Sequence, residues 1–504
     1  MVKTNRNIIR GVLMLSYLLI ISILIFLISS LYTHFNTGAD RSKILHTEVK
    51  KIDQYLPKVT WKADGNEGRL MNKQTLLEIE NDYLDAWYVK NVAYKTNTKA
   101  GIKDYYTDSS RKNIYTIIDS NKNKKINIES TSLCHNPDVL FFSEDGQLVV
   151  LEDKNVVEYK RVLKNDKIIL ETTETSTYKI VMLLEDGFWR IRHLVKESAK
   201  EFDKSTNTIA LDSLVLKGIN YYPQATPWNM FGDAFNIATI KNDFRIIKNA
   251  NLNTIRIFIP YQDFGKANVQ QSKLDKLELV LDAAEESRLK TVVTLFDFYG
   301  NYDVLDWTLN FRHAEKIVST FKNHSAILAW DIKNEPNLDF NSRGKETVIS
   351  WLEHLSILIK SIDKNNAVTI GWSNVESASI LKEKVDFVSF HYYESLSKFE
   401  SNYKVLKSKI TQKPIVLGEF GVSSYSGIWK PFGGSEEKQA LYYKEMQQLL
   451  LKHKIPFLSW TLYDFNEVPN NVVGKLPWRV NPQKEFGFIN SKGKKKPAFK
   501  FISK

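Results

Sequence analysis

Two glutamates lie in short motifs typical of strand ends, and paired carboxyl groups are suited to acid–base and nucleophilic chemistry. Glu335 belongs to the motif WDIKNEP, and Glu419 belongs to IVLGEFG, 84 residues later. They therefore come from different elements and can meet only through the fold. Breaking an acetal requires a proton for the leaving oxygen and a negative group beside an oxocarbenium-like transition state. One protonated and one ionised glutamate supply both, so the pair predicts cleavage of a glycosidic bond.

Two further polar residues are expected to set the charges of this pair. Arg256 is always cationic and would keep Glu419 ionised, while Tyr393 would donate a hydrogen bond to the same carboxylate. Glu335, beside the charge of Glu419, is then expected to keep its proton to higher pH. The sequence thus predicts different protonation states for the two glutamates.

Three more strand-end residues have side chains suited to the site. Asn334 can bond a sugar 2-hydroxyl, the flat face of Trp460 can stack on a pyranose, and His391 can support the glutamates. Each residue taken alone also has a structural interpretation. Asn-Glu-Pro is usually a helix start, His391 can be a satisfied core histidine, and Trp460 can simply close a barrel. The pairing of two glutamate motifs favours the chemical interpretation.

The elements that must position these residues repeat between residues 205 and 504. Short apolar runs alternate with amphipathic stretches, which is typical of βα units and a parallel sheet. Eight strands are predicted, at 215–220, 254–259, 290–295, 328–332, 368–371, 387–390, 415–417 and 457–460. Eight such units in about 300 residues predict an α/β fold, a (β/α)8 TIM barrel. A doubly wound open sheet is the alternative, but no glycine-rich phosphate-binding loop follows the first strand.

Three motifs, WDIKNEP, SFHYY and LGEFG, resemble those of the clan A retaining glycoside hydrolases, and of the cellulase-like family five in particular. The resemblance covers about residues 213–503. It implies that Glu335 is the acid/base, Glu419 the nucleophile and Asn334 the contact to the sugar 2-hydroxyl. It also implies a supporting role for three residues: Arg256, His391 and Tyr393.

The end of the third barrel strand departs from the cellulase-like pattern, in which a histidine is common at this position. This chain has the run LFDFY, which places Asp297 there. Asp297 and Asp464 are candidate sugar contacts. Four tryptophans in or near loops are candidates for the substrate wall: Trp228, Trp307, Trp429 and Trp478.

These observations predict a retaining glycoside hydrolase that cleaves β-glycosidic bonds of a polysaccharide or oligosaccharide by double displacement. No metal and no organic cofactor is expected, because two carboxyl groups suffice for the reaction. Two alternatives remain open. The first is a transglycosylase in surface polysaccharide processing, and the second is a non-catalytic glycan-binding protein.

The N-terminal region predicts a membrane anchor. Residues 11–32 form the uncharged run GVLMLSYLLIISILIFLISSLY, which as a helix would extend about 33 Å, enough to cross a bilayer. Lys3, Arg6 and Arg10 precede it, so residues 1–10 are expected to be a cytoplasmic tail and the rest of the chain to be extracytoplasmic, in a periplasm or at a cell surface. A cleaved signal is the alternative, but no small-residue cleavage site follows.

Residues 33–71 are polar and mixed and are predicted to form a stalk. Residues 72–200 read as helices followed by long alternating strands, a smaller α+β domain. The opening helix and the closing run EDGFWRIRHL resemble the cone-like fold of the nuclear-transport-factor-two-like proteins. A spacer, homodimer-forming or substrate-positioning role is predicted for it. His135, Asp138 and His193 are either pocket residues or solvated surface residues.

Composition limits the class of protein and its partners. The 504 residues are 43% apolar, enough for two or three globular domains. Of the formal net charge of +12, nine positive charges lie in the first ten and last fourteen residues, so nucleic acid is not predicted as a partner. The single cysteine, Cys134, excludes an intrachain disulfide and argues against a cysteine-based zinc site.

Overall fold

The computed structural model describes residues 6–36, 54–63, 65–206, 209, 214–428 and 433–503. The chain divides into two compact units, Met1–Phe202 and Asp203–Lys504. Part of the predicted tail, residues 1–5, and much of the predicted stalk, residues 37–53, lie outside the described residues. The domain boundaries drawn from the sequence stay predictions.

Helix α1 spans Arg6–Asn36 and contains the run that the sequence predicts to be a membrane span. Counted over the described residues, no helix is long and apolar enough to cross a membrane. The predicted transmembrane helix is therefore not found in this part of the chain.

The rest of the first unit is an α+β arrangement. Its helices are α2 (Lys73–Thr96), α3 (Ile102–Tyr105) and α4 (Asp108–Lys124). Its strands are β1 (Lys58–Val59), β2 (Glu67–Gly68), β3 (Ile126–His135), β4 (Pro137–Phe142), β5 (Leu148–Lys164), β6 (Lys167–Glu185) and β7 (Phe188–Glu201). Asn72 starts α2 because its side chain accepts a hydrogen bond from the Thr75 amide. The resemblance to the nuclear-transport-factor-two-like fold is not confirmed and stays a prediction.

One sheet contains all seven strands. The long strand β5 pairs with β6 along one edge and with β3 and β4 along the other, and among the described strands β7 has β6 as its partner. The antiparallel pairs bury one face against the helices, where Trp87, Ile180 and Ile191 form part of the core. His135 packs in this core, fully buried with Nδ1 2.6 Å from Asp153 Oδ2, so of its two sequence interpretations that of a solvated surface residue is wrong.

The second unit is built around a closed parallel barrel. Its strands are β8 (Lys217–Asn220), β9 (Thr254–Pro260), β10 (Lys290–Asp297), β11 (Ile327–Asn334), β12 (Ala367–Trp372), β13 (Val388–Tyr392), β14 (Ile415–Phe420) and β15 (Phe457–Ser459). Each strand pairs in parallel with its neighbours, and β15 pairs with β8 to close the ring. This closed ring of eight parallel strands confirms the predicted (β/α)8 barrel. Its strands are near-continuous apolar runs because both of their faces are buried.

The helices of this unit lie between successive strands along the chain or follow the last strand. They are α5 (Ile237–Asn249), α6 (Gln271–Glu286), α7 (Trp307–Phe321), α8 (Phe340–Arg343), α9 (Lys345–Ile362), α10 (Leu396–Lys409), α11 (Glu436–His453), α12 (Asn470–Val473) and α13 (Pro477–Gln483). In α5 the buried residues Ile240, Phe244 and Ile247 recur at helical spacing and form its apolar face. Such faces hold the strands in register and so fix where their carboxyl ends project.

Candidate active site

The carboxyl ends of the barrel strands surround a cavity of about 560 Å³. Both predicted glutamates line it, since Glu335 directly follows β11 and Glu419 lies in β14. Three other predicted site residues also line it: Asn334, Tyr393 and Trp460. Arg256 and His391 are buried and reach the glutamates by side-chain contacts. The fold therefore brings all seven predicted site residues together.

The two glutamates approach each other closely. A carboxylate oxygen of Glu335 lies within 4.8 Å of one of Glu419, and a nitrogen of His391 lies within the same distance of both. Retaining glycosidases need their carboxyl groups about 5–5.5 Å apart, and inverting enzymes need about 6.5–9.5 Å to admit a water. Glu335 has a left-handed backbone, φ 49°, a conformation that costs a non-glycine residue free energy and is found at active sites among other places. The spacing fits covalent attack on a sugar.

Arg256 organises the floor of the site. Its Nη1 lies 3.3 Å from Glu419 Oε2, and its Nη2 donates to Asp331 Oδ2 at 2.6 Å and to Asn334 Oδ1 at 2.8 Å. A further bond joins Nη1 to the side-chain oxygen of Asn220. A planar guanidinium with several fixed acceptors cannot turn, so it fixes the positions of Glu419 and Asn334 together.

Tyr393 and His391 each hold one glutamate. The Tyr393 hydroxyl donates to Glu419 Oε1 at 2.6 Å, while His391 Nδ1 lies 2.8 Å from Glu335 Oε1. His391 is also 3.9 Å from Glu419 Oε2. Both oxygens of Glu419 thus face a donor group, which leaves its carboxylate with a single orientation toward the cavity.

Burial and neighbouring charges act on the pKa values of both glutamates. Burial raises the pKa of Glu419, and the charge of Glu335 adds to this against the opposing charges of His391 and Arg256. Burial acts in the same direction on Glu335, but the hydrogen bond and charge of His391, together with the charges of Arg256 and Lys333, outweigh it and lower the pKa of Glu335. The sequence expectation considered the charge of Glu419 and did not include this histidine contact.

An aromatic wall borders the glutamates. Trp460, 5% exposed, lies next to Trp228 with ring centroids 5.9 Å apart, and Tyr222 and Phe258 complete the lining on this side. The peptide bond between Trp460 and Thr461 is cis. Flat apolar faces beside polar groups are typical of sugar-binding cavities.

The other predicted wall tryptophans lie elsewhere. Trp307 is fully buried in α7, packed against His354, and Trp478 is exposed on α13 without lining the cavity. Trp429 is outside the described residues. Of the four loop tryptophans, Trp228 is the one that the described structure places at the site.

The two candidate aspartates have different positions relative to the cavity. Asp297 lines the cavity at the end of β10, accepts a hydrogen bond from the Tyr222 hydroxyl at 3.2 Å, and has its pKa raised to about 6 by burial. Asp464 instead binds the buried Lys496 ammonium at 2.7 Å and the Gly487 amide at 2.8 Å. Asp464 therefore has a structural position, and the prediction of a sugar contact is not supported for it.

Two residues of the site were missed by sequence reasoning. Asp331 is 1% exposed and is the main partner of Arg256, and Lys333 lines the cavity with its Nζ 3.5 Å from Asp339 Oδ2. The motif WDIKNEP contains a pattern that could have identified both residues from the sequence. Polar residues at every second position of an otherwise apolar buried strand project on the same face, and in a barrel that face is the interior.

The same groups could in principle ligate a metal ion. Glu335, His391 and Glu419 offer two carboxylates and an imidazole within 4.8 Å of one another. However, Arg256 places a guanidinium 3.3 Å from Glu419, and Tyr393 donates to its other oxygen. A cation at this position would meet the positive charge of Arg256, so the donor set suits a sugar better than a metal.

Comparison with known proteins identifies the family. The profile described as Cellulase (glycosyl hydrolase family 5) matches residues 214–466, half of the chain. The chain belongs to glycosyl hydrolase family 5. The match includes β8–β15 and every one of the seven predicted site residues.

The individual relatives have low sequence identity to this chain. A mannan endo-1,4-beta-mannosidase 5 of Solanum lycopersicum is 25% identical over 25% of this chain and 40% of the relative. A mannan endo-1,4-beta-mannosidase A of Emericella nidulans is 26% identical over 32% of this chain and 53% of the relative. The chain thus spans about half the length of these curated relatives. Among solved structures, an exo-beta-1,4-mannosidase from an Opitutaceae bacterium matches 60% of this chain and 61% of its own with TM-score 0.48 and 16% identity.

Proposed function

We propose that this family 5 protein is a retaining O-glycosyl hydrolase that cleaves β-glycosidic bonds by double displacement. The observation that carries the proposal is the approach of Glu335 and Glu419 to within 4.8 Å at the carboxyl ends of two barrel strands. This spacing leaves room for a covalent glycosyl-enzyme and too little for a water between the carboxylate and the sugar.

In the first step Glu419 attacks the anomeric carbon. Its oxygens are oriented by Arg256 and Tyr393, so the attacking lone pair is aimed before substrate arrives. Burial makes the ionised carboxylate poorly solvated and therefore more nucleophilic than a carboxylate in water. Asn334, fixed by Arg256, presents its amide to the sugar 2-hydroxyl.

Glu335 supplies the proton to the leaving oxygen. Its contact with His391 Nδ1, 2.8 Å from Oε1, orients the carboxyl group at the edge of the cavity, where the leaving oxygen would lie. Ester formation then removes the negative charge of Glu419, and this lowers the pKa of Glu335 further because the like-charge repulsion is lost. The same residue is thereby prepared to act as the base that deprotonates the incoming water.

The proposed substrate is a β-linked polysaccharide or oligosaccharide, with β-1,4-mannan as the first to test. Several curated relatives carry the name mannan endo-1,4-beta-mannosidase. The cavity volume and aromatic wall are compatible with pyranose units. Asp297 and Lys333, which line the cavity, are proposed to contact hydroxyl groups of the bound sugar.

The test uses Glu335→Ala and Glu419→Ala with two substrates, a β-mannan and an aryl β-mannoside with an acidic phenol leaving group. Both variants should lose at least 1000-fold in activity on mannan. Only Glu335→Ala should release a burst of phenol from the aryl substrate, since a good leaving group needs no proton, and azide should restore its turnover. Glu383→Gln, at a side chain 76% exposed on the outside of the barrel, is the matched control. Equal loss in both variants without a burst or rescue would contradict the two roles.

We also propose that α1 attaches the enzyme to a membrane, with the catalytic unit on the extracytoplasmic side. The support is the uncharged run at residues 11–32 after three cations, together with exposed apolar side chains such as Leu15, Leu19 and Phe26. After expression in a bacterial host, the full chain is expected in the membrane fraction, with its barrel unit degraded by protease added to spheroplasts. A variant that begins at residue 37 should be released from the membrane. Equal partitioning of both proteins would exclude this role.

The predicted homodimer through residues 72–200 stays a prediction.

A further inference from the structure

A second cavity lies in the first unit, bordered by α2, α4, β6 and β7. Its volume is about 510 Å³. The ionisable groups in its lining are mostly basic, with Lys90 from α2 and Arg192, His193 and Lys196 from β7. Among the described residues that line it, none is an aspartate or a glutamate. Its charge is therefore complementary to an anion.

Lys90 is the least compensated of these groups. Its ammonium lies 3.7 Å from the ring centroid of Trp87, and no described carboxylate is within 4.0 Å of it. Burial lowers the pKa of Lys90 to about 8, although the charge of Glu158 opposes the shift. A half-buried cation with a ring but no carboxylate beside it can still pair with an anion that enters the cavity, and a group in a cleft whose pKa is shifted by burial is a candidate for a functional site.

Arg192 adds a second available cation. No carboxylate of the described residues forms an ion pair with this side chain. Its Nη1 donates a hydrogen bond to Ser109 Oγ, 2.5 Å away on the first turn of α4. Lys196 differs, because Glu174 already binds its ammonium at 2.8 Å. Lys90 and Arg192 are therefore the two groups whose charge remains for a ligand.

The rest of the lining favours a ligand with a polar ring. Tyr94 and Tyr178 contribute aromatic side chains, and Ser110 and Asn113 contribute donors and acceptors. We infer that this cavity binds a small ligand that carries an anionic group, a carboxylate or a phosphate, on a sugar-sized ring. The site lies wholly within the first unit and does not depend on the proposed function of the barrel.

The experiment titrates the full-length protein, by calorimetry, with glucuronate, inorganic phosphate and glucose as a neutral control. Glucuronate is expected to bind at least tenfold more tightly than glucose. Binding of phosphate as well would indicate a general anion site, and binding of glucuronate alone would indicate that the ring is recognised too. Equal affinity for glucose and glucuronate, or no binding of either anion, would overturn the proposal.

Variants assign the binding to this cavity. Lys90→Met and Arg192→Gln should each weaken glucuronate binding at least tenfold, while Lys112→Met, on the exposed side of α4, should leave it unchanged. The Lys90→Met protein should also melt at the same or a higher temperature without ligand, because the substitution removes a charge that burial disfavours and that no described carboxylate pairs with. Arg192 is exposed, so its variant tests the site even if Lys90→Met folds poorly. Binding that survives both substitutions and is lost in Glu419→Gln would place the anion in the barrel and overturn the proposal.

Discussion

Arg256 shows how a buried charge is used at the level of single residues. It forms a close pair with Asp331 and also contacts Glu419, so that its positive charge is shared by two acids. Asp331 is further held by the Gly371 amide at 2.9 Å and by the Thr294 hydroxyl at 2.8 Å. Because these bonds satisfy Asp331, it is proposed to position Arg256 and to leave the chemistry to the glutamates.

Asp297 provides a test of charge burial at the cavity. Burial raises its pKa to about 6, against about 3.9 in an unfolded chain, so the folded state holds its proton more tightly. Stability from this group is therefore present below about pH 4 and is lost as the pH rises through about 6, a change of about 3 kcal/mol at most. Asp297→Asn keeps an acceptor for Tyr222 and should remove the effect.

Urea denaturation of the barrel unit at several pH values measures this difference. The unfolding free energy of Asp297→Asn minus that of the parent protein should increase between pH 4 and pH 7 and then level off. A difference that is independent of pH would show that Asp297 is solvated and not buried in charged form.

At the level of elements, adjacent parallel strands must approach closely where the catalytic residues project. Gly418 immediately precedes Glu419 in β14, and a Cβ added there would lie 2.2 Å from Ser389 Oγ on β13. The next nearest atoms belong to the His391 ring, at 3.5 Å. The absence of a side chain at Gly418 therefore allows β13 and β14 to bring His391 and Glu419 together.

Gly418→Ala is expected to destabilise the protein by about 1–3 kcal/mol and to reduce activity, because overpacking displaces β13 or β14. Ser389→Ala removes the atom that the new methyl group would meet, so the double variant Gly418→Ala with Ser389→Ala should recover most of both losses. Thermal melting and turnover of the two single variants and the double variant form a double-mutant cycle. Additive losses in that cycle would show that Ser389 is not the obstacle.

At the level of the whole molecule, the two units contain separate sites. Every residue of the candidate active site lies between Asn220 and Phe486, inside the unit Asp203–Lys504. The anion cavity lies inside Met1–Phe202. The barrel strands close on one another without a strand from the first unit.

A protein of residues 203–504 is therefore expected to fold and to hydrolyse an aryl β-glycoside with a kcat within about threefold of the full chain. It should bind no glucuronate at the anion cavity. Circular dichroism and steady-state kinetics on both proteins measure this. A folded but inactive barrel unit would contradict the assignment of the active site to the second unit alone.

The sequence by itself determined the barrel and the seven residues of its site. Eight buried apolar runs separated by amphipathic stretches are local patterns, and the motifs around Glu335 and Glu419 are local too, so both can be read without coordinates. Only the tertiary structure decided that Asp331 pairs with Arg256, 75 residues earlier, and that His391 bonds Glu335. It also decided which charges act on the pKa values of the two glutamates, because burial and charge depend on neighbours that are distant along the chain.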